Sequence, residues 1–274
     1  VVATVYRYTR GIHRTRDPER ESIFFLVIRG PQSVCADTVG SILSIPYVDV
    51  VIQDLTGVLP VDPFTVMNAV GLVAFALVGA TKAIREDFDV FGIVVVGLAT
   101  AFAGGTMRDL LVNRVPLALQ SLGEIGFGAL GVGVALGVCV VLGSPEDHPF
   151  TLVADAVGLA AFATAGAIVA TDSGVSAVGV VAIATINAVG GGAVADILLD
   201  RPPFILFEDF YASCAVLGGS AYWIVTAGMG AERIAVAVCA VVTVGTRLAA
   251  VNYGWRLPTA QMLGLTNDRG REHR

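Results

Sequence analysis

Lysine is almost absent from this chain: Lys82 is the only one, and arginine supplies the other sixteen cations. Charge of either sign is scarce, at 15% of the 274 residues, where a soluble domain carries about 25%. The net charge of −6 and the pI near 5.0 exclude the basic surface that nucleic acid requires. The four cysteines, Cys35, Cys139, Cys214 and Cys239, show neither CxxC nor metal spacing. The last three fall in apolar segments and read as small hydrophobes. His13, His148 and His273 all fall in polar stretches, so neither a haem nor a zinc site is indicated. No Ser/His/Asp set or Walker loop is present, and neither catalysis nor a cofactor is expected. Alternating apolar and polar residues are lacking too, which argues against strands.

What the chain has is apolar length. Hydrophobic residues make up 55%, and the mean hydropathy is +0.77. Seven segments are long enough to cross a hydrocarbon core, which takes about 20 helical residues. They lie near 66–84, 90–111, 123–142, 152–171, 176–199, 208–228 and 231–250. Short polar connections separate them: Arg85-Glu86-Asp87, Gly143 to Asp147, Asp172-Ser173-Gly174 and Gly228-Met229-Gly230. Pro116 and Pro202-Pro203 end the second and fifth segments, where a missing N–H does least harm. The chain is therefore read as an all-α membrane protein with lipid around it. Residues 1–55 form an arginine-rich polar extension, either cytosolic or the product of an over-called start codon. Residues 253–274 read as a cytosolic tail.

Shifting the chain by 87 positions exposes an internal repeat. Between 68–116 and 155–203, 19 of 49 positions are identical without gaps. Ala69-Val70-Gly71-Leu72 meets Ala156-Val157-Gly158-Leu159, and Ala74-Phe75-Ala76 meets Ala161-Phe162-Ala163. Gly104, Gly105, Asp109, Arg114 and Pro116 meet Gly191, Gly192, Asp196, Arg201 and Pro203. Repeat one is 64–142 and repeat two 152–228, with 231–252 an unpaired seventh helix. Three helices per repeat is an odd number, so the second copy enters from the opposite face, as in many inverted-repeat transport proteins. Basic loops set the orientation. Lys82, Arg85, Arg201, Arg247 and Arg256 share one side, which is read as cytoplasmic. The first helix then starts outside and the tail ends inside.

The centre of each repeat is a run of glycines followed by a carboxylate: Gly104-Gly105 before Asp109, and Gly190-Gly191-Gly192 before Asp196. Helix-interior glycine costs about 1 kcal/mol against alanine, so these runs predict a kink or short break in the second and fifth helices; close helix packing is the other reading. Asp109 and Asp196 either face a water-filled path or tether loops by pairing with Arg114 and Arg201. Arg108, whose counterpart is Ala195, is a candidate gating residue, beside Thr106. Thr100 and Asn187 match by repeat and could lend oxygens to an ion. Asn68 and Asp155 also match; they either cap the first and fourth helices or line the two mouths. Lys82 either snorkels to the interface or gates.

Taken together, Phe91-Gly92, the stretch Gly104 to Leu111, Arg114-Val115-Pro116, the echo Asp200-Arg201-Pro202-Pro203, Arg247-Leu248-Ala249 and Trp255-Arg256-Leu257-Pro258 resemble the prokaryotic TRIC family. Those are trimeric intracellular cation channels and their bacterial and archaeal relatives; the same domain is also known as a small prokaryotic glycine-transporter domain. The resemblance covers roughly 64–258. It implies a homotrimer in which each subunit has its own pore for K⁺ and Na⁺, shaped by the glycine positions of the second and fifth helices. The animal channels carry a lysine motif in the second helix. Here Thr106-Met107-Arg108 stands instead, which weakens any carry-over of voltage gating and phosphoinositide binding. A passive cation channel is the leading expectation, and a carrier for glycine or a similar zwitterion the alternative.

Overall fold

The computed structural model describes residues 62–142, 149–206 and 210–255; the N-terminal extension, Arg256 and the tail beyond it lie outside the described residues. Within them are seven helices, each long and apolar enough to cross a membrane. They are α1 (Pro63–Arg85), α2 (Val90–Leu111), α3 (Leu122–Leu142), α4 (Pro149–Asp172), α5 (Ala177–Leu198), α6 (Ala212–Met229) and α7 (Glu232–Tyr253). Short 3-10 turns, Leu117–Leu119 and Phe204–Leu206, follow α2 and α5.

The helix ends follow from local chemistry, and the repeat is visible in them. Asp62 caps α1 by accepting from Thr65 N at 3.0 Å, with Pro63 in the first turn. Asp89 caps α2 through Gly92 N, and its counterpart Ser176 caps α5 through Gly179 N. The chain leaves α1 and α4 through left-handed residues at Asp87 and Gly174, and leaves α2 and α5 through Asn113 and Asp200. Each pair is 87 positions apart.

Packing is reciprocal about the same offset. α1 and α4 are the most buried helices and pack on each other. Phe75 and Phe162 meet edge to face with ring centroids 5.1 Å apart. Gly71 makes room for Phe162, and Gly158 makes room for Phe75. Reciprocal contact of this kind is what a two-fold axis produces. The two triplets are therefore related as an inverted repeat, and the axis passes between the two phenylalanines. α7 adds to repeat two, packing on α4 and α6. Residues such as Phe91, Leu122, Val140, Val178, Ile224 and Val241 point outward, as lipid contact requires. The chain is a multi-pass membrane protein.

Candidate functional site

α2 and α5 cross at the glycine runs, and both helices continue through them without interruption. Of the kink or short break expected there, the break is absent. Gly104 instead sits against the main-chain carbonyl of Asn187, and Gly191 against that of Thr100, so closely that a Cβ on either would overlap the oxygen. Gly190 faces Met107 Sδ and Gly104 Cα, while Gly192 faces the Phe204 ring. The local propensity cost is offset by backbone-to-backbone packing between the helices. Gly105 is the exception: nothing but Arg108 Nη2, at 3.8 Å, lies near its missing Cβ.

Thr100 and Asn187 are fully buried at this crossing. Thr100 Oγ1 donates to Val96 O in its own helix at 2.6 Å. Asn187 Nδ2 donates to Phe162 O on α4 at 2.6 Å, leaving Oδ1 buried with no hydrogen-bond partner. Four glycines border the pair, since Gly79 packs on the Thr100 side chain and Gly166 on Asn187.

At one end of the crossing stands Arg108, 1% exposed. A lone charge at membrane depth costs about 2.5–3.5 kcal/mol on insertion scales, and here it is compensated. Its Nε donates to Asp109 Oδ1 at 2.8 Å, its Nη1 donates to Asn68 Oδ1 at 3.4 Å, and its guanidinium lies over the Phe64 ring. Asn68 Nδ2 donates in turn to Glu124 Oε2 at 2.7 Å. The second oxygen of Asp109 accepts from Leu117 N at 2.9 Å and fixes the 3-10 turn.

The opposite end holds the image of this cluster. Asp196 Oδ2 accepts from Phe204 N at 2.9 Å, and Asp155 accepts from Tyr211 O–H at 2.9 Å. The cations differ. Asp196 pairs with Lys82 at 2.7 Å, and Asp155 with Arg247 at 3.5 Å. Lys82 lies over Phe204 and Arg247 over Tyr211, and those two rings touch edge to face with centroids 4.5 Å apart. Two ion pairs are thus joined through two aromatic rings.

Several expectations change here. Asn68 and Asp155 lie within α1 and α4 and cap neither; Asp62 is the cap of α1. Lys82, near the end of α1, is held by Asp196. Asp109 and Asp196 do tether the loops after their helices, but through backbone N–H groups rather than through the side chains of Arg114 and Arg201. Arg201 pairs with Glu86, and Arg114 lines a cavity. Glu124, Tyr211 and Arg247 were not anticipated as members of the site. Glu124 and Tyr211 each fall 56 positions after Asn68 and Asp155, a signal the offset of 87 carries if it is extended past Pro116.

That cavity is a vestibule of about 650 Å³ on the Arg108 side. Its walls carry Asp62, Asp172 and Glu232 together with Arg114 and Gln120, and it ends on Arg108 and Asp109. A second space, of about 10 Å³, lies among Asn68, Thr106, Arg108, Asp109, Glu124 and Phe162, barely the room one water needs. Arg108, Asp109 and Leu117 line both spaces. Among the described residues, no group of three His, Cys, Asp or Glu is placed to hold a metal ion.

An inverted-repeat membrane protein with a buried guanidinium lining a cavity inside the subunit is the class this geometry defines. The chain belongs to the TRIC/UPF0126 family: the family described as "Glycine transporter" matches residues 65–143 and 152–227. Curated relatives include the UPF0126 membrane protein YvgT of Bacillus subtilis, 33% identical over 197 residues, 70% of this chain and 94% of that one. The UPF0126 inner membrane protein YadS of Escherichia coli is 30% identical over 200 residues, again 70% and 94%. Among solved structures, one concerning conductance through TRIC cation channels is 34% identical, with a TM-score of 0.65 over 72% of this chain and 96% of that chain. The TRIC orthologue from Rhodobacter sphaeroides is 30% identical, with a TM-score of 0.64 over 70% and 98%. These solved relatives are channels, not enzymes.

Proposed function

We propose that this chain forms a monovalent cation channel, conducting K⁺ and Na⁺ along a path inside each subunit. The observation that carries the reading is the vestibule of about 650 Å³ that closes onto Arg108. Likeness to structures of TRIC cation channels over seven-tenths of the chain supports it. The path enters among Asp62, Asp172 and Glu232, whose charge draws cations into the mouth. It then passes Arg108, Asp109, Asn68 and Thr106. Thr100 and the unpartnered Asn187 oxygen lie at mid-membrane, and the path leaves by Lys82, Asp196 and Asp155.

Arg108 is the gate in this reading. The path runs from the vestibule into the smaller space, and Arg108, which lines both, stands at its neck; a guanidinium there repels a cation and fills the space, so conduction requires it to move aside. Gly105 leaves it the room. The crossing at Gly104 and Gly190-Gly191-Gly192 sets the width behind it. The assembly is a homotrimer in the plasma membrane of a prokaryote. Lys82, Arg85, Arg201 and Arg247 mark the cytoplasmic side, so the vestibule opens outward. Repeat one spans 64–142 and repeat two 152–228; 231–252 is the seventh helix, 253–274 a cytosolic tail and 1–55 a polar extension.

One observation favours a second reading, a carrier for glycine or a similar zwitterion. The vestibule offers Arg108 and Arg114 to a carboxylate and Asp62, Asp172 and Glu232 to an ammonium. Proteoliposomes separate the two. Unitary K⁺ currents support the channel; saturable uptake of labelled glycine without such currents supports the carrier.

A further inference from the structure

Three positions of the two polar clusters correspond by the repeat, Asn68 with Asp155, Asp109 with Asp196 and Glu124 with Tyr211, but the clusters differ in charge. At the Lys82 end, Asp155 and Asp196 face two cations, Lys82 and Arg247. At the Arg108 end, Asp109 and Glu124 share one guanidinium. The image of Glu124 is Tyr211, a neutral donor, so the direction of the hydrogen bond is reversed: Tyr211 donates to Asp155, while Glu124 accepts from Asn68. The Arg108 cluster therefore carries one negative charge in excess, and binding one proton would balance it.

Glu124 stands in the first turn of α3, where the span meets the vestibule face. The charged and polar groups that share its space are Asn68 from α1 and Thr106, Arg108 and Asp109 from α2; α4 offers Phe162, and the 3-10 turn offers Leu117 and Ala118. Asn68 links the charges. Its Nδ2 donates to Glu124 and its Oδ1 accepts from Arg108. An ionised carboxylate only accepts and a guanidinium only donates, so together they fix the amide in this orientation. Protonation changes three things. The charge-assisted bond from Asn68 becomes a neutral one, about half as strong. The second negative charge holding Arg108 is lost. The carboxyl also gains an O–H donor; wherever that O–H faces Asn68, the amide accepts it only by turning over and presenting its NH₂ to Arg108.

We propose that Glu124 is a proton-binding positioning residue: ionised, it holds Arg108 in the neck through Asn68, and protonated, it releases that hold. Acid on the vestibule face then favours the open path. This rests on reading Arg108 as the gate.

The test uses the full chain in planar bilayers, with pH stepped from neutral to mildly acidic on the vestibule face alone. The wild type is expected to open several-fold more often in acid. Glu124→Gln should be open at both pH values and flat between them, and Glu124→Asp should keep the acid response. Asn68→Leu should lose that response although Glu124 still titrates. An infrared titration of the carboxyl C=O band on detergent-purified protein gives a second readout that needs no conduction. A protonated-carboxyl signal present in the wild type should be missing in Glu124→Gln, and should titrate at higher pH in Arg108→Gln. A wild-type pH profile in Glu124→Gln overturns the proposal, as does an infrared titration that Arg108→Gln leaves unmoved. A silent wild type overturns the channel reading and the release with it, while the infrared arm still decides the proton site.

Discussion

Gly104 lies against the main-chain carbonyl of Asn187 with no space for a side chain between them. The repeat axis reproduces the relation at Gly191 and Thr100. The obstacle in both places is backbone, which cannot turn aside as a side chain can. Alanine at either glycine is expected to cost about 1–3 kcal/mol through overpacking, read as a lower melting temperature in detergent. Gly126 and Gly133 have open space around them. Alanine there should be neutral or gain up to about 1 kcal/mol of helix propensity.

Lys82 and Asp196 form an ion pair whose carboxylate is nearly enclosed, with a side-chain exposure of 6%. Lys82→Met leaves that charge without its cation. Breaking one side of such a pair costs about 3–5 kcal/mol, and the partial exposure of Lys82 puts the expected loss near the lower figure. Lys82→Met combined with Asp196→Asn should recover most of it, because the amide oxygen still serves Phe204 N. Denaturation of the single and double variants checks this.

Asp109 and Asp196 each do two jobs, and substitution separates them. Asparagine keeps an acceptor for Leu117 N or Phe204 N but gives up the ion pair. Alanine gives up both and leaves a half-buried N–H unpaired, a further loss of about 1–3 kcal/mol. Hydrogen exchange at the Leu117 and Phe204 amides should quicken in the alanine variants and stay slow in the asparagine ones.

Asn187 carries an orphan oxygen in the middle of the bundle. Asn187→Leu loses the bond to Phe162 O, worth about 1 kcal/mol, but removes an unsatisfied carbonyl that costs about 1–3 kcal/mol. Melting should therefore be unchanged or slightly raised. If that oxygen serves permeant ions, unitary conductance falls in the same variant.

The spans, the repeat and the importance of the two glycine runs were legible in the sequence. Apolar length and the 87-position offset are properties of the chain itself. The partners were not. Sequence proximity pointed Asp109 at Arg114 and Asp196 at Arg201, but the left-handed residues Asn113 and Asp200 turn the chain there. The cation of Asp196 comes from Lys82, 114 positions away. No short break interrupts the helices at the glycines, for a related reason: propensity is local, whereas the contact that stabilises Gly104 and Gly191 lies on another helix. Asn68 looked like a cap because the apolar run begins beside it. The helix actually starts at Pro63, where Asp62 supplies the cap.

Single-channel recording of the purified chain in K⁺, wild type beside Arg108→Ala, tests the central claim most directly. Unitary K⁺ currents are expected in the wild type and a several-fold higher open fraction in Arg108→Ala, at unchanged assembly size. Silent bilayers from both proteins, with saturable glycine uptake in liposomes of the same preparation, would contradict it.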